Sequence, residues 1–187
     1  MKILAVETST RTLSIAIRDQ NSVLAEYKGD GGLRHSQDLI PGINSLLKKI
    51  NSKLSDIDCF AISIGPGSFT GLRIGVSILK GLNLVTGIPI IAVPSLDVIA
   101  YNAADMPHDI CVIVDAKKNN LYASLYKKGK NNDIIRIWDY LLITADELVK
   151  RIKTKTFFLG DGAAVYGKFI SERLKDAILA DKRYWFP

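Results

Sequence analysis

Carboxylates followed directly by hydroxyl and backbone donors occur twice in this 187-residue chain, at Glu7-Thr8-Ser9-Thr10 and at Asp115-Ala116-Lys117-Lys118. At the end of a strand, such a turn presents backbone N–H groups and hydroxyls suited to phosphate, and its carboxylate suits metal-bound water. Glu7, Thr8, Ser9 and Asp115 are the candidate nucleotide-binding residues on that reasoning. A hairpin between exposed strand ends also uses Thr and Ser for turn chemistry of its own, so the pattern admits a purely structural reading.

Gly65-Pro66-Gly67-Ser68-Phe69-Thr70-Gly71-Leu72-Arg73-Ile74-Gly75 is the most distinctive segment. It lacks the Gly-Lys-Ser or Gly-Lys-Thr ending of a phosphate loop, so the strong lysine contact to phosphate is missing. Its glycines suit a tight strand-to-helix turn whose backbone approaches the sheet closely. Ser68 has no histidine nearby in sequence, and Gly-Ser-Phe-Thr-Gly is not a nucleophile elbow. His35 and His108, the only histidines, have no partner one helical turn away, so no metal-ligand pair is expected. Cys59 and Cys111 lie in apolar, strand-like runs, which suits reduced core thiols.

Periodicity predicts the elements that must position these residues. Three β-rich runs, 2–8, 12–18 and 22–28, separated by turn residues, predict an antiparallel meander. Leu39, Ile43, Leu46 and Ile50 recur at helical spacing and predict a helix over 36–50. A strand over 58–64, covered on both faces, leads through the glycine-rich turn into a helix over 70–86, then a strand at 89–93 and a helix over 96–104. From Ile110 the order starts again: strands over 110–115, 121–127 and 133–138, a helix over 144–151, a strand over 156–159, Gly160-Asp161-Gly162 and a helix over 163–175. The chain reads as a duplicated βββαβα plan with domains at 1–105 and 106–187, the second copy shortened by loss of the closing strand and helix.

On the helix over 70–86, apolar residues cover roughly 220° of the wheel, whereas a single core needs a stripe only somewhat wider than ~100°. The surplus implies contact with a neighbouring helix or with another protein, and the helix over 36–50 is the expected neighbour within the chain.

Nearly half of the residues are hydrophobic, 48%, which supplies a buried core and excludes disorder. No apolar run approaches the ~18 residues of a membrane helix, so a cytoplasmic protein without membrane contact is expected. Most of the +6 net charge falls in 106–187, among Lys127, Lys128, Lys130, Lys150, Lys153 and Lys155. Such an excess favours RNA phosphates, although scattered lysines equally describe a solvated face.

Ile3-Leu4-Ala5-Val6-Glu7-Thr8-Ser9, the 35–41 helix start, the Ile64–Val76 segment, Val93-Pro94-Ser95-Leu96 and Val114-Asp115-Ala116 together resemble the TsaB family, also called YeaZ, over nearly the whole chain. That resemblance implies a duplicated actin-like, hexokinase-like fold of the ribonuclease H-like (ASKHA) type, in a member that has lost the catalytic role. It implies a subunit of the machinery that makes threonylcarbamoyladenosine in tRNA, binding the TsaD transferase and joined by the ATPase TsaE. ATP and Mg²⁺ would belong to those partners, with no cofactor in this chain. It also implies a homodimer through the helices of the first domain, on a surface overlapping the TsaD surface, and it leaves room for tRNA contact within the complex. Carried onto this sequence, that surface holds His35, Leu39, Ile43, Leu46, Arg73, Ile74, Ser77 and Lys80. The chain departs from the family at Glu7, where Asp is usual, and at Asn119 and Asn120, where Gly-Glu is common. The competing reading is an enzyme of the same fold, an ATP-dependent phosphotransferase or a metal-dependent peptidase-like protein, acting through Glu7 and Asp115.

Overall fold

A computed structural model describes residues 1–29, 34–129 and 133–186. Lys130, among the lysines named above, lies outside them. The chain forms two compact units that divide between Ser95 and Leu96.

In the first unit, β1 (Lys2–Glu7), β2 (Leu13–Asp19) and β3 (Ser22–Gly29) form the expected meander, followed by α1 (His35–Lys49), β4 (Cys59–Ser63), α2 (Phe69–Thr86) and β5 (Ile90–Val93). The sheet order is β3-β2-β1-β4-β5, antiparallel through the meander and parallel from β1 to β5. Strand alternation sends Leu4, Val6, Leu13, Ile15, Ile17, Phe60 and Ile62 to one face. There they meet Leu39, Ile43, Leu46 and Leu47 of α1 and Leu79 of α2. Each such side chain contributes ~1.5–3 kcal/mol by leaving water. Gly42 lets α1 lie close to β2, since a Cβ there would stand 2.6 Å from Ile15 Cδ1. The opposite face is less covered: Ile3, Ala5, Ala16 and Ala61 are half-buried and Ile91 is 51% exposed. The strand over 58–64 is therefore not shielded on both sides as its apolar run suggested.

The second unit carries β6 (Asp109–Lys117), β7 (Asn120–Lys128), β8 (Ile134–Arg136), β9 (Leu141–Thr144), α4 (Ala145–Arg151), β10 (Thr156–Leu159), α5 (Gly162–Arg173) and β11 (Ala177–Leu179). Its sheet runs β11-β10-β6-β7-β8, with β9 also paired to β7. Strand order and senses match those of the first sheet, except that the third strand is split: β8 pairs with Tyr126–Lys128 and β9 with Asn120–Ala123. A capping box starts α4, in which Thr144 Oγ1 accepts from Glu147 N at 3.2 Å and Glu147 Oε2 accepts from Thr144 N at 2.9 Å. Both faces of this sheet are covered. Cys111, Ile113, Leu121, Ala123 and Phe158 pack with Leu148, Ile152 and Ile170, while Ile110, Val112, Val114, Tyr126 and Leu159 pack with Leu96, Ile99, Ala100 and Ala103.

Two expectations are corrected. The helix α3 (Ser95–Tyr101) falls within the expected first domain, 1–105, but its apolar side fills the core of the second unit, so the division falls at Ser95. It is fastened there by Asp97, whose carboxylate accepts from the Tyr126 and Tyr140 hydroxyls at 2.7 Å each. The second half also has a closing strand: β11 pairs parallel to β10, with Thr156 opposite Ala177 and Phe158 opposite Leu179. Three residues are too few for alternation to reveal such a strand. Among the described residues, no helix is long and apolar enough to cross a membrane.

Candidate functional site

Glu7 ends β1, and both of its carboxylate oxygens are engaged within the chain. Oε1 accepts from Ser9 N–H, and Oε2 accepts from the hydroxyl of Ser63, at the end of the parallel neighbour β4. The group is buried, and burial raises its pKa, opposed by the hydrogen bonds from Ser63 and Ser9 and by the nearby His35. Thr8, Ser9 and Thr10 are buried as well. The Ser9 carbonyl accepts from Ser68 N at 2.6 Å, and His35 Nε2 lies 3.0 Å from the Thr10 carbonyl. Thr8 Oγ1, Ser9 Oγ and His35 Nδ1 find no partner among the described residues.

The glycine-rich segment explains this crowding. Gly65 takes φ +98°, in the left-handed region, and its N–H and carbonyl bond to Ser95 Oγ at 3.0 Å and Ser95 N at 2.8 Å. Pro66 follows, and a Cβ on Gly67 would stand 2.4 Å from the Ser9 carbonyl oxygen. Ser68 is the N-cap of α2, with Oγ accepting from Gly71 N at 3.2 Å, so its hydroxyl serves the helix. Phe69 and Thr70 form the first turn of α2. Gly71 and Gly75 then place the helix directly against Thr8: a Cβ on either would lie 2.0 Å from its carbonyl oxygen or 2.4 Å from its Oγ1. The turn seats α2 on the β1–β2 connection.

Asp115 in the second unit is similarly occupied. Its Oδ1 accepts from Lys117 N at 2.9 Å and its Oδ2 from Lys117 Nζ at 2.5 Å. Partial burial pushes its pKa up, but the two bonds and the charge of Lys117 outweigh this and hold the carboxyl below its ordinary value. Asp161 accepts from Asp115 N at 3.1 Å and is raised by burial. A magnesium-bound nucleotide needs carboxylate oxygens open to metal-bound water. Each carboxylate oxygen of Glu7 and of Asp115 already accepts one hydrogen bond within the chain. No group of three metal-ligating side chains occurs among the described residues.

The residues carried over to a partner surface separate into two sets. His35, Leu39, Ile43 and Leu46 are buried within the first unit, so the part of the expected surface drawn on them is corrected: their apolar spacing serves the core. Arg73, Ser77 and Lys80 are exposed on α2, and Ile74 is half-buried beside them. Ser36, Thr70, Arg73, Ile74, Ser77 and Ile78 line a groove of about 390 Å³ between α1 and α2. Among α2 residues only Gly71, Gly75 and Leu79 are fully buried. Phe69, Leu84 and Val85 are 73%, 85% and 87% exposed, and the Arg73 guanidinium lies 5.4 Å from the Phe69 ring centroid. Sequence periodicity flagged the wide apolar arc but could not single out these three, because the wheel marks apolar residues without saying which are covered.

The family model described as TsaD, tRNA N6-adenosine threonylcarbamoyltransferase, matches residues 12–184. A protein of Bacillus subtilis (strain 168) named tRNA threonylcarbamoyladenosine biosynthesis protein TsaB is 34% identical over 176 residues, covering 93% of this chain and 77% of the relative. The protein of that name from Escherichia coli (strain K12) is 32% identical over 133 residues, covering 70% of this chain and 57% of the relative. The solved structure of YeaZ from Pseudomonas aeruginosa superposes with a TM-score of 0.80 at 25% identity, covering 96% of this chain and 84% of that one.

Proposed function

The chain belongs to the TsaB (YeaZ) family, and from that membership we propose that it serves the formation of threonylcarbamoyladenosine in tRNA as a non-catalytic subunit that docks TsaD. The observation that carries this reading is α2, a helix of 18 residues that buries only one narrow stripe and offers Phe69, Arg73, Leu84 and Val85 to solvent. Exposed aromatic, Arg and aliphatic side chains beside a groove are the material of a protein interface. The engagement of both Glu7 and Asp115 inside the chain supports a scaffold without nucleotide chemistry of its own, ATP and Mg²⁺ acting in the partner subunits. We read the two units, with their common strand order, as copies of one actin-like unit. TsaE joins the assembly, and the basic second half faces tRNA phosphates within it. A homodimer built on the same helices would compete with TsaD for this face.

Light scattering on the chain mixed with TsaD of the same organism tests the proposal, with Leu84→Glu as the interface variant. Leu84 is exposed, so the variant keeps its fold while losing the complex. No complex with the unaltered chain, together with tRNA modification proceeding equally well without it, would sink the docking role. Mg²⁺-dependent ATP turnover by the isolated chain, abolished in Glu7→Ala, would replace the scaffold by an enzyme.

A further inference from the structure

Resting on the place given above to tRNA, we infer that one end of the second unit, where the parallel strands β6, β10 and β11 begin, is the surface that takes RNA phosphates. Strand register gathers there the cations that the sequence scatters. Thr156, at the start of β10, pairs with Asp109 of β6 and Ala177 of β11, so the residues just before these three share one sheet edge. The strand β7 runs the other way, and Ile110 opposite Tyr126 brings Lys127 and Lys128 to the same end. Both α4 and α5 finish there as well, each joined to the start of a parallel strand by a short connection. Their last turns and those connections present Lys150, Arg151, Lys153, Lys155, Arg173 and Lys175, all exposed and none in an ion pair among the described residues.

Cations in the last turn of a helix can serve its dipole alone. Two helix C-termini carry roughly half a negative charge each, which these side chains far exceed. The acids nearby are fewer and partly engaged: Asp109 Oδ2 accepts from the Thr154 hydroxyl at 2.5 Å, Asp133 Oδ1 from the Tyr101 hydroxyl at 2.7 Å, and Glu172 lies 4.0 Å from Lys168. Asp105 and Asp176 are exposed and offset part of the charge. The opposite end of the unit has no such excess, since Asp115 pairs with Lys117 there and the first turn of α4 carries Asp146 and Glu147.

Charge without apolar anchors decides the kind of partner. The stretches 150–156 and 170–177 contribute no exposed large hydrophobic side chain, and Ile135, opposite Lys127, stands at the margin. A protein interface is built on aromatic and aliphatic anchors, and a membrane-surface helix on inserted apolar ones. A phosphate backbone asks for cations alone. The Arg173 guanidinium lies 3.5 Å from the centroid of the half-buried Phe169 ring, a stacking that leaves its N–H edges to phosphate oxygens.

Fluorescence anisotropy of labelled, unmodified tRNA titrated with the full chain, repeated between about 50 and 200 mM salt, tests the inference. Lys153→Gln with Lys155→Gln removes two charges from this end, and Lys118→Gln with Lys182→Gln removes two from the opposite end. All four positions are exposed, so both melting curves should match that of the unaltered chain. The first variant should bind tRNA about tenfold more weakly, with the slope of log affinity against log salt smaller by about two. The second should keep the affinity and slope of the unaltered chain. Equal losses in the two variants would overturn the inference while leaving the basic half its attraction for RNA, and no salt-dependent binding by the unaltered chain would overturn both. Tighter binding to vesicles of anionic lipid than to tRNA, lost in the first variant, would give this end to a membrane instead. The measurement needs no partner, so its outcome is independent of whether TsaD docks.

Discussion

Gly71 lies so close to Thr8 that a Cβ on the glycine would stand 2.0 Å from the Thr8 carbonyl oxygen. The obstacle is backbone, which cannot rotate aside as a side-chain tip can. In an open helix, alanine is better than glycine by ~1 kcal/mol. At this position the clash should reverse the sign, and Gly71→Ala should destabilise the protein by about 1–3 kcal/mol. Gly81 is the control on the same helix, with nothing within 4 Å of its Cβ position. Gly81→Ala should stabilise by up to ~1 kcal/mol, and urea unfolding of the two variants should move in opposite directions. Equal gains would mean that α2 is not seated on β1.

Glu7 makes stability depend on pH in an unusual direction for a carboxylate. Burial raises its folded-state pKa above the ordinary value of 4.5. The folded state thus prefers the neutral acid, and the stability this gives is full below the unfolded-state pKa and is lost as pH rises through the folded-state pKa. Glu7→Gln keeps an acceptor for Ser9 N–H and a donor for Ser63 while removing the charge. Its melting temperature should exceed that of the unaltered chain at pH 8 and converge with it near pH 4, as followed by circular dichroism. A constant difference across that range would mean that Glu7 is not the titrating group.

Asp97 gathers the hydroxyls of Tyr126 and Tyr140 and, at 3.4 Å, the guanidinium of Arg136. Tyr126 is buried, so Asp97→Ala leaves its hydroxyl without this partner, at a cost of ~1–3 kcal/mol. Tyr126→Phe removes donor and desolvation penalty together and should cost less. Combining Tyr126→Phe with Asp97→Ala should recover part of the loss, which a double-mutant cycle by denaturant unfolding would measure.

Much of this arrangement was legible in the residues because it depends on local pattern. Alternation in Leu13, Ile15 and Ile17 marked β2, and the apolar run from Ile110 marked a strand, whereas two-sided cover, expected of the strand over 58–64, is found at Ile110–Val114 instead. The glycines of 65–75 announced a close backbone approach, which Thr8 and Ser9 provide. What stayed hidden depends on long-range choice. The spacing of Leu96, Ile99 and Ala103 indicates an apolar side, but which core accepts it is decided by packing. The family resemblance puts Leu39, Ile43 and Leu46 on a partner surface, whereas they share a core with Leu4, Ile15 and Phe60. The occupied state of Glu7 was also out of reach, because Ser63 lies 56 positions away and meets it only through the parallel pairing of β1 and β4.

The two sheets share a strand order but are sealed unequally, one layer of helices against the first and cover on both sides of the second. Solvent can approach the amides of Leu4–Val6 from the less covered face of their sheet, whereas those of Cys111–Val114 lie between two covered faces. Deuterium should therefore enter β1 and β4 well before β6, and the last protected stretch in an exchange time course should be the middle of β6. The chain would thus keep time with two clocks, its first half opening often and its second half seldom.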